Sequence, residues 1–189
     1  PSKKITGDKM IQVVASGPDS DWPGIKMGIF HAIASARKYV YIATPYFMPN
    51  ESVLMALKAA AMGGVDVRVV IPEKSDAFLT HLSTHSYIRE MLDAKVRFFF
   101  YQKGFLHSKV IIIDDMVSSI GTANMDFRSF EQNYEITAFI YDEETALNIK
   151  EDYMSDLKES REVTLETWPL RPRIEKIKES FARLISPLL

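Results

Sequence analysis

Between Met10 and Tyr141, short runs rich in β-branched and aromatic residues alternate with longer segments of helical periodicity. That alternation admits few architectures. MIQVVAS (10–16), YVYIATPYF (39–47), VDVRVVIP (65–72) and VRFFFY (96–101) read as strands. Gly17-Pro18-Asp19 marks a turn, and helices are predicted from about Pro23 to Arg37, over Glu51–Met62 and over Leu79–Ala94. Asn50 is suited to cap the second helix, which Gly63-Gly64 closes. Pro45 and Pro49 must end the strand before them, because proline has no N–H for a ladder. Lys109–Ile113 and Met116–Ile120 flank Asp114-Asp115, a spacing that predicts a tight antiparallel hairpin. Tyr134–Tyr141 is a further strand and Glu143–Ser160 a further helix. The expected fold is one α/β domain, a mixed β-sheet flanked by helices on both faces. Its core spans about 10–165; a Trp168-Pro169 break and an amphipathic helix fill 166–189. No internal repeat is seen.

Composition fits such a domain. A chain of 189 residues can bury a full core, and 47% hydrophobic with 25% charged residues is ordinary for a globular protein. A net charge of −2 gives no global steering toward nucleic acid or anionic lipid. With no cysteine, disulfides and thiolate metal sites are excluded. No apolar run approaches the roughly 18 residues that span a bilayer, and no signal peptide opens the chain. The chain is expected to be soluble, with any membrane contact peripheral.

Chemistry concentrates in HSKVIIIDDMVSSIGTANMDFRSFEQNYE, residues 107–135. His107, Lys109 and Asp114 form H-x-K-x4-D; Gly121, Thr122 and Asn124 form G-T-x-N. On a strand, residues two apart share a face, so His107 and Lys109 should project together, roughly 7 Å apart along the chain. An imidazole can attack phosphorus, and an ammonium can hold phosphoryl oxygens as a point charge. Asn124 would add an amide donor where charge grows in the transition state. Thr122 is expected to assist the phosphate site or orient Lys109. Asp114 lies at odd spacing from His107 and should point away from its face. Its expected role is therefore mainly structural, satisfying backbone donors at the hairpin.

These motifs resemble the signature of the phospholipase D superfamily. IQVVASGPDSDWPGI, YIATPYFMPNESVLMALKAAAMGGVDVRVVIPEKSD, YQKGFLHSKVIIID, IGTANMDFRSFEQNYEITAFIYD and FARLISPLL narrow the resemblance to the C-terminal half of bacterial cardiolipin synthases. The resemblance implies a phospholipase D-like fold and makes His107, Lys109 and Asp114 the catalytic motif. It also implies an acid after the loop that orients the histidine, for which Glu135 is the candidate. Such enzymes carry two copies of the motif and two membrane-spanning segments; this chain has one copy, lacks an initiator Met, and reads as a cut-out half. The implied reaction joins two phosphatidylglycerols through a phosphohistidine and releases glycerol, with no metal or other cofactor. The implied partners are phosphatidylglycerol and other phospholipids, the membrane surface, and a missing N-terminal half or a homodimer mate. The whole protein would lie at the bacterial inner membrane, its catalytic part cytoplasmic. A homodimeric phosphodiesterase or nuclease and an inactive phospholipid-binding relative are the alternatives. Without a basic, aromatic-laced groove, nucleic acid is not an expected partner.

Other features have plainer readings. His81 and His85 share a helical face, but HLSTH holds no acid between them, so a solvated or partly buried pair is expected rather than a metal site. Phe98–Tyr101 should be a core strand. Phe105 and Leu106 could line an acyl-chain entrance or simply pack. Arg128 could reach a headgroup or pair with Glu131. The tail RPRIEKIKESFARLISPLL has five basic and two acidic residues, with Ile174, Ile177, Phe181, Leu184 and Ile185 at helical spacing. Its apolar stripe is expected to pack on the domain's own sheet; membrane contact is the alternative.

Overall fold

The computed structural model describes residues 7–186; Pro1 and the last three residues of the closing FARLISPLL lie outside them. The elements are β1 (Met10–Ser16), α1 (Gly24–Ala34), β2 (Tyr39–Ala43), β3 (Phe47–Met48), α2 (Glu51–Met62), β4 (Asp66–Pro72), α3 (Phe78–Asp93) and β5 (Arg97–Tyr101). There follow β6 (Val110–Ile113), β7 (Val117–Gly121), β8 (Met125–Asp126), α4 (Phe127–Glu131), β9 (Glu135–Tyr141), α5 (Glu143–Lys158) and β10 (Ser160–Val163). A 3₁₀ turn at Trp168–Leu170 leads into α6 (Arg173–Ile185).

Eight strands form one mixed sheet in the order β1-β9-β7-β6-β2-β4-β5-β10. β2, β4 and β5 run parallel, joined through α2 and α3; the remaining pairings are antiparallel. β2 is buried on both faces, which is why YVYIA reads as a continuous apolar run. Val40 and Ile42 join one core with Ile29 of α1, Leu57 of α2 and Ile88 of α3. Tyr39, Tyr41 and Ala43 join the other with Ala146 and Tyr153 of α5. Helices thus cover both faces, as the alternation predicts. Phe98, Phe99 and Phe100 are all buried, so that run is core strand.

Two local readings are corrected. The expected strand 39–47 splits: β2 ends at Ala43, before Pro45, and Phe47–Met48 pairs in parallel with Met125–Asp126 as a separate two-stranded sheet. The helix expected to reach Ser160 stops at Lys158, and β10 turns back along β5. The hairpin forms, and its turn is left-handed at both Asp114 (φ 57°) and Asp115 (φ 61°). The Met116 N–H donates to the Ile113 carbonyl at 3.0 Å. This is the geometry that matches strand twist.

Candidate active site

The carboxyl ends of β2 and β4 open at one edge of the sheet, the usual place for a ligand crevice in α/β proteins. Ala43, the last residue of β2, pairs with Val110, the first of β6. His107 and Lys109 therefore emerge at this edge, in irregular chain just ahead of β6 rather than inside it. The Gly121 N–H donates to the Lys109 carbonyl at 3.4 Å, which carries the hairpin pairing one residue further.

The Lys109 ammonium is 3.2 Å from both ring nitrogens of His107 and donates to the His107 carbonyl at 2.9 Å. The two nitrogens point in diverging directions, so an ammonium equidistant from them is in line with neither. It lies against the ring and leaves the in-line approach to each nitrogen open. His107 is exposed and Lys109 half-buried. Burial pulls the Lys109 ammonium below its usual range, while the carboxylates of Glu135, Asp126 and Asp76 act to keep it charged.

Asn124 follows β7, and its N–H donates to Ser129 Oγ at 3.1 Å. Its Oδ1 is buried without a hydrogen-bond partner. A buried carbonyl left this way is costly, and such orphans cluster where a ligand is missing or strain is stored. Asp126, two residues on, is buried and accepts the Ser129 N–H at 2.7 Å, capping α4. Burial pushes its carboxyl up, against the hydrogen bonds from Ser129 and Asn124. Asp126 was not singled out from the sequence. Its signal was the two-residue spacing from Asn124 within GTANMD. Across the crevice, the Tyr46 hydroxyl donates to Asp76 at 2.7 Å; burial and that carboxylate push the phenol up to about 12. Thr44 ties the two sides together, accepting from Met125 N–H at 3.2 Å and donating to the Tyr46 carbonyl at 2.9 Å.

Other expected members take different positions. Glu135 accepts from Asn133 Nδ2 at 3.2 Å and makes no hydrogen bond to His107. Its carboxylate acts on Lys109 through space. Thr122 makes its hydrogen bonds to Ile136 and none to Lys109. Its Oγ1 accepts the Ile136 N–H at 3.0 Å, and its own N–H donates to the Ile136 carbonyl at 2.9 Å, fastening the loop to β9. Asp114 accepts from the backbone N–H groups of Arg37, Lys38 and Tyr39 at 2.7, 2.8 and 2.8 Å. Its donors thus come from the start of β2, not from its own hairpin. Leu106 is buried in the core under α5, while Phe105 is 42% exposed with its ring 5.4 Å from that of His107. Glu131 pairs with Lys26 at 2.6 Å, not with Arg128, which is exposed. The rings of His81 and His85 lie 3.9 Å apart, and His85 packs on Phe100 and Trp168.

Residues 29–157 match the family described as "Cardiolipin synthase, PLD-like domain". The chain is 49% identical, over 190 aligned positions, to "Cardiolipin synthase 2" of Bacillus anthracis, covering all of this chain and 37% of that protein. It is 46% identical over 183 positions to "Cardiolipin synthase 1" of Staphylococcus aureus (strain COL), covering 97% of this chain and again 37% of the relative. The chain thus spans little more than a third of the length of these curated relatives. Among solved structures, phosphatidylserine synthase from Haemophilus influenzae Rd KW20 superposes with a TM-score of 0.75 at 15% identity, over 95% of this chain and 47% of that one. At that identity the likeness speaks for the fold alone. The chain belongs to the family of cardiolipin synthase, phospholipase D-like domains.

Proposed function

We propose that this domain supplies one of two His-Lys-Asn sets of a phosphatidyltransferase that makes cardiolipin from two phosphatidylglycerols at a membrane, with the second set in another part of the same protein. The observation that carries this reading is the His107–Lys109 pair at the crevice. One imidazole attacks phosphorus, forming a P–N bond as the P–O bond to glycerol breaks. The imidazole of the other set gives the departing glycerol oxygen its proton. That second imidazole then takes the proton of the incoming phosphatidylglycerol hydroxyl, whose oxygen attacks phosphorus as the P–N bond breaks. Lys109 holds the phosphoryl oxygens throughout, and the Asn124 amide joins it where charge develops. Of the two roles we assign His107 that of general acid–base.

In the whole protein, His107→Ala should lower cardiolipin formation from phosphatidylglycerol by at least about 10²-fold while the protein remains folded. His107→Asn should still accumulate a phosphatidyl-enzyme adduct; loss of the adduct would make His107 the nucleophile. Near-normal turnover by a folded His107→Ala protein would remove the histidine from the chemistry. The 189-residue chain alone, as a monomer, should show little or no transfer. Clear turnover by a strictly monomeric sample would refute the need for a second set.

A further inference from the structure

α6 docks against the domain with its polar side. Ile174, Ile177, Phe181 and Leu184 recur at helical spacing, yet they are 57, 53, 69 and 75% exposed. The buried residues of the helix are Glu179 and Ala182. The expectation that the apolar stripe packs on the sheet is therefore reversed: α6 packs on α3, with its stripe outward. Specific contacts fix this rotation. Glu179 is paired with Arg171, whose guanidinium lies 3.3 Å from the centre of the Trp168 ring. Arg183 donates to Glu90 at 2.9 Å and lies 3.5 Å over the Tyr87 ring. Tyr87 in turn shares a 2.9 Å hydrogen bond with Ser186. Turning the stripe inward would break both pairs, stranding Arg171, Glu179 and Arg183 and leaving Glu90 with Lys58 alone.

The rim of the stripe is cationic. At 100° per residue, Arg173 falls along one edge of the apolar arc and Lys178 along the other. Among the described residues neither has a carboxylate partner. Residues 171–186 carry five basic and two acidic side chains, in a chain whose net charge is −2. Leu170, 81% exposed, extends the apolar surface just before the helix; Phe78, 66% exposed, shares a depression with Lys178. An apolar arc edged on both sides by cations is poorly suited to a second α6, because pairing two would bring like charges together along the seam. It suits a surface that offers acyl chains beneath a layer of negative charge.

We infer that α6 is an in-plane membrane helix, whose outward stripe enters the headgroup boundary of an anionic phospholipid bilayer while its polar side stays locked on α3. This surface shares no residue with the His107 crevice and does not depend on the reaction proposed there. The test uses the 189-residue chain with vesicles of phosphatidylcholine alone or mixed with phosphatidylglycerol, read by co-sedimentation. It should bind the mixed vesicles more tightly, and salt should weaken that binding. Phe181→Ser with Leu184→Ser should lower the partition coefficient at least about tenfold. Arg173→Glu with Lys178→Glu should cost a similar factor on the mixed vesicles only. All four positions are exposed, so melting temperatures should be nearly unchanged. In a Phe181→Trp chain, mixed vesicles should shift the emission of the new indole to the blue. His107→Ala should bind as the parent does; a loss there would place the contact in the crevice and overturn the inference. Equal binding by the serine variant, or no preference for anionic vesicles, would also overturn it. So would a dimer in light scattering that Phe181→Ser with Leu184→Ser dissolves, because a second copy would then cover the stripe.

Discussion

Lys109 and Asp114 belong to one sequence motif but stand at opposite ends of the same strand. β6, four residues of extended chain, lies between them and sets them roughly 17 Å apart. Lys109 is at the crevice with His107; the Asp114 carboxylate is held by three backbone N–H groups where β2 begins. The motif thus marks both ends of one central strand, its lysine at the crevice and its aspartate on the backbone leading into β2.

Asp114→Ala should destabilise the domain by roughly 2–4 kcal/mol, because it strands three backbone donors that a charged acceptor now satisfies. Asp114→Asn keeps a neutral acceptor and should cost less, about 1–2 kcal/mol. Urea unfolding of the chain measures both. Cardiolipin formation per folded molecule of the whole protein should stay within a few-fold of normal for the asparagine variant. Full inactivation of a well-folded Asp114→Asn protein would give that carboxylate a different job.

Lys109→Ala should reduce turnover by about 10²-fold or more, nearly as much as loss of His107. Among the described residues no other ammonium or guanidinium lies within hydrogen-bond distance of the His107 ring. Half-buried and paired with no carboxylate, Lys109 should affect the urea midpoint little. Restored activity in a Lys109→Ala protein supplied with an external amine would strengthen the assignment; a kinetically normal Lys109→Ala protein would end it.

Gly121→Ala should damage folding rather than chemistry. A Cβ there would meet the Ile136 carbonyl oxygen and come within 2.7 Å of Thr137 Cα, both on the β9 backbone. The two strands cannot separate without losing their ladder, so a cost of roughly 2–4 kcal/mol is expected from overpacking. A melting curve unchanged from the parent would show that β9 can move aside.

His85 should make stability pH-dependent on the acid side. Burial, with the positive fields of His81 and Arg171, pushes its imidazole from the ordinary 6.5 down to about 2. Below pH 6.5 the unfolded chain binds a proton that the folded chain refuses, so unfolding becomes progressively easier as pH falls. Between pH 6.5 and 5.5 the loss should be about 1 kcal/mol. Glu179 lies 3.9 Å from Nδ1 but is committed to Arg171, so it does not rescue the charged form. A His85→Phe chain should show a flatter profile, read from urea midpoints at several pH values. An identical slope would shift the dependence to other groups.

Much of the sheet was legible because its signals are local. Burial on both faces writes itself as runs such as VYIA and RFFFY, and the Asp114-Asp115 pair marks the turn between β6 and β7. Asp114's structural bias was also legible, because parity along a strand is rigid. What escaped were relationships across long stretches of chain. The two-residue pairing of Phe47–Met48 with Met125–Asp126 is too short to carry a periodic signal. Glu135 is expected beside His107 from the resemblance as much as from spacing; the side-chain hydrogen bond it makes is with Asn133. Periodicity found α6 but not its rotation, which rests on Arg171, Glu179, Glu90 and Arg183 pairing with one another. Asp126 carries no sequence signal beyond its two-residue spacing from Asn124.

The Asp114 clamp also bears on the order in which the chain can assemble. A two-residue turn normally lets a hairpin form within microseconds, before the rest of the sheet exists. Here both turn residues are non-glycine and left-handed, a conformation that costs free energy in isolation. The carboxylate relieving that cost must find Tyr39, 75 residues earlier. The β6–β7 hairpin is thus a poor early nucleus, and its closure waits on the arrival of β2. His107 and Lys109 are carried to the crevice only once the centre of the sheet has condensed, so partly folded chains should lack the site entirely rather than hold a loose version of it.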